Sequence, residues 1–244
     1  MLVLFLRYTE ILIAALKRLC YDISRTIPYD DSGGTTMRYQ AVIFDFDGTL
    51  FNTEQNELSA LDGFMVEVTG AHAPKDKLMK VFGMTGMDGL KYLGCTQEQI
   101  ASIAPRWNQA SLDALKTTPL FDGMLETLQE LRVMGIRRAI VTSRGLNGVQ
   151  LGLESRKISD YFDTIVCQKD TVEHKPHPAP LLECLRRMEL APQDVIYVGD
   201  SAFDMQCAQA AGADSGLALW GTHEPELPCT YRLNHPKDLL AICK

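Results

Sequence analysis

Five short, largely apolar runs, at residues 41–44, 139–141, 164–166, 195–198 and 216–219, alternate along the chain with segments of helical periodicity. Runs this short suit strands buried on both faces of a parallel sheet. The helical patterns between them cover residues 123–134, 147–156, 179–188 and 202–211, with Gly212 placed to end the last. Such alternation predicts right-handed β-α-β crossovers and an open α/β sheet, with ligands beyond the carboxyl ends of the strands. One stretch breaks the rhythm. Residues 54–117 read as helices only, at 54–69, 75–82, 87–93 and 97–116. An all-helical insertion after the first strand accounts for it. Its own apolar positions, among them Leu58, Leu61, Phe64, Met65 and Val68, let it form a small bundle over the sheet, a candidate lid.

At 244 residues and 46% hydrophobic, the chain can bury a sizeable core. A net charge of −7, with no Lys or Arg block longer than a pair, excludes a basic nucleic-acid surface and points to small ligands or protein partners. The seven cysteines are odd in number and scattered, and none forms Cys-x-x-Cys. They suggest neither a disulfide framework nor a zinc site, and a reducing cytoplasm is the simplest location. The first 36 residues differ from the rest: an apolar segment runs to Cys20, but Arg7, Glu10, Lys17 and Arg18 interrupt it. A membrane span needs about 20 mainly apolar residues, so no transmembrane helix is expected, and no small-residue cleavage site marks a signal peptide. Two readings stay open for residues 1–37: an amphipathic helix over residues 1–20 that docks on a membrane or on the protein's own surface, or an extension from an upstream start. The second is preferred because Met37 lies just before the first core strand.

Chemistry concentrates where strands end. In Asp45-Phe46-Asp47-Gly48-Thr49 the two carboxylates share one face of an extended segment at about 6.6 Å spacing, with Phe46 pointing away. Two such anions stay ionised only beside a cation or with one of them protonated, and magnesium would meet that need with oxygen ligands. Gly48 permits a sharp turn, and Thr49 offers a hydroxyl and an N–H to a phosphate. An isolated Asp-Gly would equally mark a plain turn. The segment Gly199-Asp200-Ser201-Ala202-Phe203-Asp204 follows another buried strand. Ser201 and Asp204 fit a helix cap, whereas Asp200 at a strand end calls for a counter-charge. In His174-Lys175-Pro176-His177-Pro178, Pro176 biases Lys175 toward an extended conformation, and the ammonium is presented from a stiff loop. Most lysines are simply solvated, and no further His or Cys completes a metal set with His174 and His177. Thr142-Ser143-Arg144, at the end of the 139–141 run, offers hydroxyls and amides to a phosphoryl oxygen.

Together and in this order, the four segments resemble the motifs of the haloacid dehalogenase superfamily: Asp-x-Asp-Gly-Thr, a Thr or Ser after the second motif strand, a Lys, and Gly-Asp-x-x-x-Asp. The match covers about residues 38–244. The resemblance implies a Rossmann-like core at 38–53 and 118–244, with residues 54–117 as the C1 cap of the subfamily I members that include phosphoglycolate phosphatases, pyrophosphatases and β-phosphoglucomutases. It implies that Asp45 is the nucleophile forming an aspartyl-phosphate and that Asp47 is the general acid and later the base. Thr142 and Lys175 would hold phosphoryl oxygens. Magnesium would lie on the Asp45 and Asp200 carboxylates and the Asp47 carbonyl. Gly48, Thr49, Ser143, Arg144 and Ser201 would support the phosphate, and Asp204 would orient Lys175 or a metal-bound water.

Asp47 disfavours a dehalogenase or a phosphonatase, since it supplies the acid that phosphoryl transfer needs. The expected function is a magnesium-dependent phosphatase for a small phosphorylated metabolite, because the cap loop Phe82-Gly83-Met84-Thr85-Gly86-Met87 resembles that of phosphoglycolate phosphatase-like members. A β-phosphoglucomutase-like mutase or an inorganic pyrophosphatase would use the same core, and a non-catalytic phosphate-binding module is the reading from another class. Lys75, Lys77, Lys80 and Lys91 on the insert could greet an anionic substrate, but on helices they are more often plain solvated charges.

Overall fold

The computed structural model describes residues 37–244. Expectations for the segment before Met37 therefore fall outside the described residues. Six parallel strands form one sheet: β1 Ala41–Phe44, β2 Arg137–Val141, β3 Thr164–Val166, β4 Val195–Gly199, β5 Asp214–Ala218 and β6 Tyr231–Leu233, in the order β3-β2-β1-β4-β5-β6. Central β1 has β2 on one side and β4 on the other, so the chain reverses its winding direction there, and a crevice opens at the carboxyl ends of these strands. Register makes the crevice compact. Phe44 lies beside Ile140 and Val198, so Asp45, Thr142 and Asp200 all leave the sheet at nearly the same level.

Side-chain alternation divides the core between the two faces. Val42 and Phe44 join the cluster formed with α5 (Met124–Val133), α6 (Leu146–Ser155) and α9 (Asp238–Ile242), while Ala41 and Ile43 join the one formed with α7 (Ala179–Met188) and α8 (Ala202–Ala211). The insert between β1 and α5 holds α1 (Glu54–Thr69), α2 (Lys75–Val81), α3 (Gly86–Tyr92) and α4 (Gln97–Leu115), packed around a third core that includes Leu61, Met65, Leu90 and Ile103. Thr96 opens α4 with a reciprocal capping box to Gln99, and Gly70, at φ +77°, closes α1. Among the described residues, no helix is long and apolar enough to cross a membrane.

The structure adds β6 and α9 to the expected elements and starts β5 at Asp214 rather than 216. Three residues of mixed exposure are too few to show a strand period, so β6 leaves no trace in the sequence pattern.

Phe46 explains how the two aspartates are presented. It is fully buried and stacks on Phe51 with ring centroids 4.5 Å apart. Gly152 of α6 leaves room for its ring; a Cβ there would fall 2.6 Å from Phe46 Cζ. Burying this ring anchors the segment between Asp45 and Asp47. Phe46→Ala is expected to cost about 3–5 kcal/mol of stability, measured by urea unfolding. A loss below about 1 kcal/mol would mean that the ring does not anchor the loop.

Candidate active site

Asp45, on the first residue after β1, is 3% exposed. Lys175 reaches it from the loop before α7, placing Nζ 2.9 Å from Asp45 Oδ1 and 2.7 Å from Asp204 Oδ1. The ammonium is the charge partner of the buried Asp45 Oδ1, with no second donor beside it among the described residues. Asp204 is fully committed. Its Oδ1 accepts from Lys175 and from the Tyr197 hydroxyl at 2.9 Å, and its Oδ2 accepts from the Ser201 amide at 3.1 Å and the Ser201 hydroxyl at 2.6 Å. Ser201 also caps α8 by accepting from the Asp204 amide, so the capping role and the Lys175-holding role coexist. Asp200 follows β4, 6% exposed, and accepts from the Thr49 hydroxyl at 2.9 Å.

Three buried carboxylates thus face one ammonium. Burial pushes the Asp45 carboxyl up to about 7, although Lys175 pulls the other way. Burial, with Asp204 and Asp45 adding to it, drives Asp200 well above the carboxylate range. Burial disfavours the charge on Lys175, but Asp204 and Asp45 outweigh it and raise the ammonium's pKa. Ligand oxygens of Asp45, Asp200 and Asp204 lie within 4.8 Å of one another. Since Asp204 is occupied, Asp45 and Asp200 are the two available to a cation. Excess negative charge, all-oxygen donors and the burial of Asp45 and Asp200 fit a hard divalent ion such as magnesium.

The backbone is shaped around these carboxylates. Gly48 has φ +73°, and a Cβ on it would lie 2.4 Å from Asp200 Oδ2, so a side chain there would displace Asp200. A Cβ on Gly221 would strike the Gly48 carbonyl oxygen at 1.8 Å, and Trp220 donates Nε1–H to the Thr49 carbonyl at 3.0 Å. The turn after β5 therefore clamps the Asp45–Thr49 loop from behind.

Asp47 belongs to a second cluster that joins the core to the cap. Arg144 donates to it through Nε at 2.8 Å and Nη2 at 2.6 Å, and Thr53 donates its hydroxyl at 2.7 Å. Nη2 also reaches Glu57 of α1 at 2.5 Å, and Nη1 reaches Ser111 of α4 at 2.6 Å. Ser111 in turn donates to Glu57. Burial opposes the guanidinium charge, but Asp47 and Glu57 overcome it and raise its pKa. A second core-to-cap tie runs from the Ser143 hydroxyl to the Gly83 carbonyl at 2.9 Å. Between cap and core lies a cavity of about 240 Å³ whose lining includes Asp45, Asp47, Thr142, Arg144 and Lys175.

The structure brings Asp45, Asp47, Gly48, Thr49, Thr142, Lys175, Asp200, Ser201 and Asp204 to one end of the sheet. The hydroxyls of Thr49 and Ser143 are donated to Asp200 and Gly83. His177 accepts from the Ala179 amide at the start of α7, and neither it nor His174 is in the acidic cluster. Lys75, Lys77, Lys80 and Lys91 are exposed and do not line the cavity. Sequence reasoning missed Tyr197, Glu57 and Ser111. Tyrosine in a strand buried on both faces was the available signal for the first, since its hydroxyl must find a partner. Glu57, in the first turn of α1, is indistinguishable in sequence from a residue placed for the helix dipole.

The curated relatives include a protein from Bacillus anthracis named pyrophosphatase PpaX, 26% identical over 215 residues, covering 84% of this chain and 97% of the relative. Among solved structures, a candidate phosphoglycolate phosphatase from Lactobacillus plantarum is 29% identical and superposes with a TM-score of 0.76, covering 84% of this chain and all of the other. CbbY from Rhodobacter sphaeroides, solved with phosphate, is 21% identical with a TM-score of 0.74, covers 84% of this chain and 99% of its own, and shares the fold. The sequence profile described as haloacid dehalogenase-like hydrolase matches residues 42–218. With the parallel sheet, the helical cap and the strand-end aspartates in place, the chain belongs to the haloacid dehalogenase-like hydrolases and is a phosphatase-type enzyme of that family.

Proposed function

We propose that the chain is a magnesium-dependent phosphatase that hydrolyses a small phosphorylated metabolite through an aspartyl-phosphate on Asp45. The carrying observation is the state of Asp45: a buried strand-end carboxylate on the cavity wall, with the Lys175 ammonium 2.9 Å from its Oδ1. In this reading a carboxylate oxygen of Asp45 attacks phosphorus as the ester P–O bond breaks. Asp47, once released from Arg144 and protonated from solvent, gives that proton to the departing oxygen. Water then attacks the phosphoenzyme, losing a proton to Asp47, and the Asp45–phosphorus bond breaks to release phosphate. Thr142 and Lys175 hold the equatorial oxygens, and Asp204, itself held by Tyr197 and Ser201, holds Lys175. Asp45, Asp200 and the Asp47 carbonyl would bind magnesium, which when present neutralises the charge gathered on the phosphoryl group.

The division of labour follows from the chain's layout. Residues 38–53 and 118–244 carry the chemistry, while residues 54–117 close over it and form most of the wall that meets the leaving group. The six described cysteines are all free, which suits the cytoplasm. The name of the PpaX relative favours pyrophosphate as an alternative substrate.

Asp45→Asn is expected to lower turnover of p-nitrophenyl phosphate and acetyl phosphate by on the order of a thousandfold or more; activity within tenfold of wild type would end the proposed route. Asp47→Asn should slow poor leaving groups far more than good ones, and equal losses across a leaving-group series would remove Asp47 from the acid role. Magnesium should raise the thermal unfolding temperature of the wild-type protein, with chelator reversing the rise, because a bound cation stabilises only the folded site. The rise should be largely lost in Asp200→Asn, and the same shift in both proteins would exclude Asp200 as a ligand.

A further inference from the structure

The cavity has two chemically different ends. Asp45, Thr142 and Lys175 line the phosphoryl end, and the cap contributes Val81, Phe82, Met84, Met87, Ala104 and Trp107, with Glu57, Asn108 and Ser111 as its polar lining. At about 240 Å³ the space is below the common range of ligand pockets, roughly 300–1,000 Å³. Among the described residues that line it, the cations are Lys175 and Arg144. Lys175 is held between Asp45 and Asp204. Arg144 has every nitrogen engaged: Nε on Asp47, Nη2 on Asp47 and Glu57, and Nη1 on Ser111. One guanidinium thus faces two carboxylates. When Asp47 turns to the leaving oxygen, Nε is released, but Glu57 on Nη2 still balances the guanidinium charge and Ser111 still holds Nη1. The four cap lysines that could have received an anion stand in solvent, away from the wall.

We infer that the leaving group of the substrate is compact, uncharged and largely apolar, recognised by the Met84, Met87 and Trp107 wall, and that a second anionic group is excluded. This rests on the phosphatase reading and narrows it. The carboxylate of phosphoglycolate, the second phosphoryl of pyrophosphate and the far phosphate of a sugar bisphosphate would all meet a largely apolar wall whose one guanidinium is already balanced by Glu57. Asn108, Ser143 and Gln168 remain as neutral partners for a single polar atom. Neighbours of the same architecture therefore need not share a substrate, because the discriminating side chains lie on the cap rather than in the motifs.

The test compares kcat/KM of the full chain with magnesium for phenyl phosphate and 4-carboxyphenyl phosphate, alongside phosphoglycolate and pyrophosphate, with acetyl phosphate as a control that makes little use of the wall. The carboxylated phenol is chemically the better leaving group, so intrinsic reactivity works against the expected result. Phenyl phosphate should lead each anionic substrate by about tenfold or more, because like charges brought together in a desolvated site are costly. Met87→Arg places a cation on the wall at a position already 41% exposed, so folding tolerates it, and it should narrow the gap by raising the 4-carboxyphenyl rate. Comparable or faster turnover of 4-carboxyphenyl phosphate, phosphoglycolate or pyrophosphate overturns the inference. So does failure of both aryl esters while acetyl phosphate is hydrolysed, and in these cases the phosphatase reading stands. If acetyl phosphate is not turned over either, both readings fall.

Discussion

The ammonium of Lys175, held between Asp45 and Asp204, is the interaction on which the rest of the site depends. Two aspartates leave adjacent strands and a third stands in the first turn of α8, all in a place nearly closed to water, where unpaired carboxylates would neutralise or push the strand ends apart. Lys175 offsets one charge, Tyr197 and Ser201 stabilise Asp204, and Thr49 steadies Asp200. What remains is an excess of negative charge focused on Asp45 and Asp200. That excess makes a divalent cation the natural complement of the site, and it makes Asp45 available. A carboxylate whose charge partner among the described residues is Lys175 alone has not been consumed by the fold.

The cap is tied to this centre through Arg144. One guanidinium reaches Asp47 after β1, Glu57 on α1 and Ser111 on α4, so the acid of the proposed mechanism and the two main helices of the insert share one buried partner. Replacing one member of such a cluster leaves a buried charge uncompensated, at a cost of about 3–5 kcal/mol. Ser143 and the Gly83 carbonyl add a neutral tie nearby. The cap therefore does more than cover the crevice. It engages Arg144, one of the two cations that line the cavity among the described residues, and it adds Met, Phe and Trp side chains to the lining.

Much of this was legible in the sequence, for reasons that differ from element to element. The strand runs at 41–44 and 164–166 and the helices at 54–69, 179–188 and 202–211 coincide with the observed elements, because burial on both faces and sharp helix stops leave strong patterns. Asp45 and Asp200 stand out because charged groups beside buried strands require an explanation, and Lys175 because Pro176 stiffens the loop that presents it. Tyr197, Glu57 and Ser111 do not, since each is ordinary for its element, and the bonds that give them meaning span from 7 to 87 residues of chain. Arg144 was noticed for its place after a strand. Its partners Glu57 and Ser111 lie on an insertion whose position over the sheet no local pattern encodes.

The central claim is that Asp45, rather than water, takes the phosphoryl group first. Rapid quenching of the magnesium-loaded protein with acetyl phosphate, followed by borohydride reduction and peptide mass spectrometry, tests it most directly. The account predicts conversion of Asp45 to homoserine, dependent on substrate and absent in Asp45→Asn. Turnover with no modified Asp45 under conditions that trap a known acyl phosphate, or the label at another carboxylate, would contradict it.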